Sequence, residues 1–255
     1  MDLNSDLGEG FGIWTLSDDD ALLELVTSAN VACGFHAGDP TTMRRVCTRA
    51  LALGVRVGAQ VSYRDLAGFG RRRIDVDPQT LTDELRYQIG ALSAFAPISY
   101  IKPHGALYNT AATDPAHASA VVAAASVAGV GDASVGSAAT LGLPVLCQPG
   151  SVLARLAADA GLRVVGEGFV DRGYLPDGRL VPRGTDGAIL TDIAAVAERA
   201  VRMARDGEVV AVDGSVLHLP FESLCVHGDT PGAVAMATAV RAALIAAGLP
   251  PTPFA

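Results

Sequence analysis

The chain has 255 residues, half of them hydrophobic and 18% charged, with a formal net charge of −8. That balance is globular rather than disordered, and its acidity argues against nucleic acid or an anionic membrane as a primary partner. With no apolar stretch near the roughly 20 residues of a membrane helix, no secretion-like start and four cysteines lacking C-x-x-C spacing, a cytoplasmic protein with reduced thiols is expected.

Short apolar strands alternate with longer helical segments along the whole chain. Strands are predicted at 1–5, 29–33, 55–60, 98–102, 133–136, 143–147, 162–166 and 222–226. Helices are predicted at 18–27, 40–53, 78–95, 115–128, 150–160, 187–205 and 231–247. Ser17 stands before three aspartates as a cap with acids in the first turn, where the helix dipole favours them. Asp39-Pro40, Asp77-Pro78 and Asp114-Pro115 each place a capping aspartate before a proline at the first helical position. Gly54 and Gly161 close helices just ahead of strands, and Thr230 is placed to cap the last helix.

This alternation implies a mostly parallel sheet with helical crossovers, and no composition break divides it, so one domain spanning 1–255 is expected. Gly8-Glu9-Gly10-Phe11-Gly12 lacks the G-x-G-x-x-G spacing of a dinucleotide fold, and no Walker A loop is present. A β/α barrel is therefore favoured over a doubly wound sheet. In a barrel, polar residues at the carboxyl ends of the strands are the active-site candidates.

Five strand ends carry such residues. In the first, Asp2, Asn4 and Asp6 share one side of an extended strand, with Glu9 following. The second presents His36 and Asp39 after Cys33-Gly34-Phe35; Asp39 is equally well explained as a helix cap. The third holds Lys102, the only lysine in the chain, with His104, Tyr108 and Asn109. Where eighteen arginines serve elsewhere, a single lysine suggests a need for a compact ammonium. The fourth is Glu167, Asp171, Arg172 and Tyr174, and the fifth is His227 and Asp229. His36, His104 and His227 share one context, an apolar strand followed by histidine and glycine, whereas His117 and His218 read as structural. Histidines and carboxylates gathered at one rim build either a metal site or an acid–base site. Gly68-Phe69-Gly70-Arg71-Arg72-Arg73 is a further candidate, for phosphate, though a solvated loop explains it as well.

Six of these motifs, together with Leu180-Val181-Pro182-Arg183, resemble in order the LamB/YcsF family of 5-oxoprolinase A-type components: Asp2–Glu9, Ala32–Pro40, Asp65–Arg72, Lys102–Asn109, Glu167–Tyr174, Leu180–Arg183 and Val226–Pro231. The resemblance implies an irregular, seven-stranded β/α barrel similar to glycoside hydrolase and deacetylase barrels. It further implies an ATP-dependent enzyme component, with Mg accompanying the nucleotide, that opens the lactam of 5-oxo-L-proline to L-glutamate together with partner subunits B and C. On that reading Asp6, His36, Lys102, His104, Asp171 and His227 are the catalytic candidates. Asn4, Glu9, Asp39, Arg71, Arg72, Asn109, Glu167, Arg172, Arg183 and Asp229 are the candidates for holding substrate or nucleotide. Within this set Lys102, Arg71 and Arg72 are expected to stabilise phosphate or oxyanion charge, and Arg172 or Arg183 to hold the substrate carboxylate. One departure concerns Gln60, which stands where the family commonly has histidine. Two other readings are a metal-dependent hydrolase using His36, His104, His227 and an aspartate, and a non-catalytic component that presents substrate. Self-association is left open.

Overall fold

The computed structural model describes residues 1–128, 142–230 and 232–255. The predicted strand at 133–136 lies outside them. Among the described residues the first six strands are β1 (Asp2–Leu7), β2 (Ser28–Ala32), β3 (Arg56–Val61), β4 (Tyr100–Pro103), β5 (Val145–Cys147) and β6 (Val164–Phe169). A short antiparallel pair follows, β7 (Glu208–Val210) and β8 (Val216–His218), and then β9 (Ser223–Cys225). Strands β1 to β6 run parallel in sequence order, and β9 pairs with both β6 and β1 to close a seven-stranded barrel.

The helices are α1 (Asp19–Leu23), α2 (Pro40–Leu53), α3 (Pro78–Ser93), α4 (Gly105–Ala111), α5 (Pro115–Ala128), α6 (Val152–Asp159), α7 (Ile193–Asp206) and α8 (Ala233–Ala246). Asp39 and Asp77 cap α2 and α3 as expected, each followed by its proline. Gly54 ends α2 in the left-handed conformation. Three local expectations need correction. Asp18, not Ser17, caps α1, and Ser17 instead donates to Asp19. Gly232 occupies the N-cap of α8 without a side-chain bond, so Thr230 contributes only its carbonyl, to Ala233 N. Finally, α7 starts at Ile193 rather than 187. The preceding residues are tied to the loop after β6, with Leu190 N donating to Asp171 O and Gly173 N to Ala188 O. None of the described helices is long and apolar enough to cross a membrane.

The two faces of the barrel strands have opposite chemistry, as their period of two dictates. Leu3, Leu7, Val31, Val57, Val61, Ile101 and Leu224 point outward into the apolar layer beneath the helices, against Leu22, Val46, Leu85 and Val240. The inward face of β1 is polar throughout. Asp2 accepts from Ser28 Oγ at 2.7 Å, Asn4 donates to Ser223 Oγ at 2.7 Å, and Asn30 Nδ2 donates to both Asn4 (2.7 Å) and Asp6 (2.8 Å). Tyr100 OH donates to Asn30 Oδ1 at 2.6 Å. The Tyr100 ring fits only because its β3 neighbour is Gly58, where a Cβ would lie 2.2 Å from ring carbons. The lumen is thus a bonded polar column that leads from Asp2 up to Asp6, and a pocket opens above it.

Candidate active site

A cavity of about 500 Å³ lies at the carboxyl ends of the barrel strands. Its floor holds Asp6, Glu9, Lys102, His104 and His227, and its wall on the β6 side is the segment from Phe169 to Arg183. Period-two alternation in β4 turns Tyr100 and Lys102 inward while Ile101 faces the helices.

Lys102 is 2% exposed and fully engaged. Its Nζ donates to Asp6 Oδ1 at 2.7 Å, lies 2.8 Å from Glu167 Oε1, and directs its remaining contact to Cys225 Sγ at 3.4 Å. Burial works to lower the lysine pKa, but the Asp6 carboxylate above all carries it well above its ordinary value. The two carboxyls respond differently. Burial opposes the charge on Asp6, yet Lys102 and His104 hold its pKa well below the usual range. Burial pushes Glu167 up, and Lys102 only offsets this. Asp6 is therefore the ionised partner, with Oδ2 turned toward His104 Nδ1 at 3.8 Å.

Glu9 is the counterpart of Asp6. Burial, and then the charges of Asp6 and Asp229, push its carboxyl well above the usual range. Two neighbouring carboxyls with pKa values driven apart supply a base and an acid in one pocket. An unfolded glutamate ionises near pH 4.3, so as pH rises the unfolded chain releases this proton first and is favoured. Glu9→Gln keeps an acceptor for its neighbour and removes that penalty. The variant is expected to be more stable than the parent by about 1 kcal/mol at pH 8, with no gain at pH 4, read from urea midpoints at both values.

Across the floor, Asp171 is buried after β6 and accepts from His227 Nδ1 at 2.9 Å on each oxygen. Burial acts to raise the Asp171 pKa, but His227 and then Arg172 bring it below the ordinary value. With Nδ1 committed to the carboxylate, Nε2 of His227 is the nitrogen available to a ligand. This is a histidine held in one tautomer and one orientation by an aspartate.

The third group is centred on Gln60, the inward residue near the end of β3. Its Nε2 lies 3.0 Å from both Glu9 Oε1 and His104 Nδ1, and its Oε1 lies 3.1 Å from His36 Nε2. His104 Nε2 donates to Phe69 O at 3.0 Å, which leaves Nδ1 as the acceptor of the amide. His36 and His104 stack at 4.2 Å between centroids, and burial lowers the pKa of both. Gly70 packs against this pair. At φ 65° it holds a backbone conformation rare for side-chain-bearing residues, and a Cβ there would meet Ser62 Oγ at 2.4 Å and His36 Cβ at 2.9 Å.

Of the other expected residues, Arg71, Asn109, Arg172, Arg183 and Asp229 line the cavity. Arg71 pairs with Asp229 at 2.5 Å. The Arg172 guanidinium is spent largely on the loop itself, donating to Ala188 O at 2.9 Å and Val181 O at 2.7 Å. Arg183 has no ion-pair or hydrogen-bond partner among the described residues, so it is the freer arginine for an anionic ligand. Six expectations fall outside the cavity lining: Glu167 and Asp171 reach it only through their partners Lys102 and His227, and the other four are Asn4, His36, Asp39 and Arg72. Asn4 lies deeper in the lumen, His36 is wholly buried behind Gln60, and Asp39 bonds Thr41, Thr42 and Gly12. Arg72 turns to Asp65 instead of the cavity and braces the 65–72 loop. The proposed quartet of His36, His104, His227 and an aspartate is not assembled, because Glu9 joins the first two histidines while His227 turns to Asp171. Sequence reasoning gave no role to Asn30 or Tyr108. A polar residue inside an otherwise apolar strand was the signal for Asn30, and the lysine motif itself contains Tyr108.

The geometry defines a parallel β/α barrel with an acid–base cavity at the carboxyl ends of its strands, where such barrels place their chemistry. A sequence model of the LamB/YcsF family matches residues 1–255. The chain is 58% identical over 253 residues to the 5-oxoprolinase A component of Mycobacterium marinum, covering 97% of this chain and 96% of that protein. It is 58% identical over 260 residues to the 5-oxoprolinase A component of Streptomyces griseus, covering 100% of each. The crystal structure of a lactam utilization protein from Thermus thermophilus superposes with a TM-score of 0.90 at 41% identity, covering 100% of this chain and 99% of that one. A GH20 β-N-acetylhexosaminidase from Streptomyces coelicolor shares the fold alone, with a TM-score of 0.51 at 12% identity over 99% of this chain and 64% of that one. The chain belongs to the LamB/YcsF family.

Proposed function

We propose that this chain is the A component of a cytoplasmic 5-oxoprolinase and carries the site at which the lactam of 5-oxo-L-proline is hydrolysed to L-glutamate. The names of its relatives suggest the substrate, and the observation that carries the reading is the oriented His227–Asp171 pair facing Glu9 and the ionised Asp6 across one cavity. A five-membered lactam is a resonance-stabilised amide, so its carbonyl oxygen is proposed to be activated by taking the γ-phosphoryl group of ATP, with ADP as the leaving group. ATP and its Mg are substrates of the assembled enzyme, shared with partner subunits B and C.

In this reading Arg183 binds the substrate carboxylate, and Arg71 extends the positive rim toward phosphate. His227 takes a proton from water as its oxygen bonds to the carbonyl carbon. The carbon–nitrogen bond then breaks, the departing nitrogen takes its proton from the Glu9 carboxyl, and the acyl phosphate that results is hydrolysed by a second water to L-glutamate and inorganic phosphate. Asp6 and Lys102 form the charged base of the pocket and hold the floor in place.

The test is reconstitution. Glutamate release from 5-oxo-L-proline is expected only when ATP, this chain and both partner subunits are present. Full turnover with this chain omitted would remove the catalytic assignment, and full turnover by Asp171 and His227 variants would favour a presenting role.

A further inference from the structure

We propose that Gln60 plugs a latent divalent-cation site, and that the Glu9–His36–His104 cluster excludes metal while the amide sits at its centre. The inference does not depend on which reaction the cavity performs. It begins from the ligand set. One carboxylate oxygen and two imidazole nitrogens, from buried residues that follow β1, β2 and β4, lie within 4.8 Å of one another. Two histidines and a glutamate are a donor set that zinc-like cations accept.

The centre of that set is filled. Metal–ligand bonds to nitrogen and oxygen are about 2.0–2.2 Å, whereas the Gln60 amide stands 3.0 Å from Glu9 Oε1, 3.0 Å from His104 Nδ1 and 3.1 Å from His36 Nε2. These are hydrogen-bond distances. One planar amide thus takes up a bonding position of all three ligand residues.

The protons are wrong for coordination as well. His104 donates from Nε2 to Phe69 O, so its Nδ1 lone pair points at the amide N–H. His36 can meet Gln60 Oε1 only by donating from Nε2, so that nitrogen carries a proton instead of a lone pair. Its other nitrogen, Nδ1, is buried without a partner among the described residues. Rotating the amide by half a turn would set its oxygen against the His104 lone pair, so the network fixes its direction. Gln60 is itself 0% exposed, which leaves a cation no centre unless the amide is displaced.

Gln60→Glu exchanges the blocking N–H donor for a carboxylate oxygen, which repels the Glu9 oxygen and the His104 lone pair and, once turned aside to admit a cation, supplies a fourth ligand atom. Gln60→Ala opens the centre without adding a ligand. The experiment titrates purified protein with Co²⁺, read by its ligand-field absorption, and with Zn²⁺ against a chromophoric chelator. Gln60→Glu is expected to bind one cation about 100-fold more tightly than the parent, with tetrahedral Co²⁺ bands, and Gln60→Ala is expected to fall between them. His36→Ala on the Gln60→Glu background is expected to abolish the bands. Stoichiometric Co²⁺ binding by the parent that His36→Ala or His104→Ala removes would overturn the proposal. So would a folded Gln60→Ala or Gln60→Glu protein that binds no better than the parent. Circular dichroism establishes which variants are folded, and either one suffices.

Discussion

Lys102→Met is expected to destabilise the protein at pH 7 by about 3–5 kcal/mol, because it leaves two buried carboxyls facing one another without their cation. Nζ lies 2.7 Å from Asp6 and 2.8 Å from Glu167, both almost wholly inaccessible to solvent. With the ammonium present, Asp6 is held well below the carboxylate range and so contributes stability above its unfolded pKa, which is lost as pH falls through the folded value. Without it, burial dominates and both carboxyls are driven upward. The variant then regains stability in acid as they protonate, and the gap to the parent narrows. Urea midpoints for both proteins at pH 7.5 and pH 5 measure this. A gap that is small, or equal at the two values, would show that the triad is not the electrostatic centre of the barrel. Lys102→Arg is the companion variant. It keeps the charge but puts a broad planar fork where a compact ammonium serves two carboxylates and a thiol. It is expected to lose turnover in the reconstituted enzyme while recovering part of the stability.

The same triad shows what can be read along the chain and what needs three dimensions. That Lys102 is special was legible, since a lone lysine at the end of an apolar strand beside histidine is a local pattern. That it is neutralised was not, because Asp6 and Glu167 arrive from other strands and meet it only when β9 closes the barrel. The period of two placed Asp2, Asn4 and Asp6 on one face. Whether that face looks onto solvent or into a lumen is decided by closure, which has no local signature. Helix α4 was hidden for a different reason. Pro103 and Gly105 punctuate the motif as turn residues, yet Gly105 opens the helix, with Gly70 O receiving Ala106 N. Gln60 drew notice as a departure from a family pattern, but its place at the hub of three side chains follows from β3 lying between β2 and β4.

The largest expected loss of activity follows from His227, the cavity-lining histidine that keeps a ring nitrogen for a ligand, since both nitrogens of His104 are engaged. His227→Gln is expected to lower kcat for lactam hydrolysis in the complete enzyme by about 10²–10⁴-fold, the range that a positioned general base supplies. KM should change little, because the arginine rim that would bind the substrate is untouched. Asp171→Asn tests orientation separately from basicity. The asparagine amide would donate to His227 Nδ1, which forces the proton onto Nε2 and presents the wrong tautomer to water. Its loss should approach that of His227→Gln, and the double variant should be no worse than the more damaging single change, as for residues that act as one unit. Additive losses, or a raised KM with unchanged kcat, would mean that the pair binds substrate and does not move a proton. Glu9→Gln completes the comparison. Expected to be more stable yet slower, it would separate the groups that hold this barrel together from those that work in its cavity.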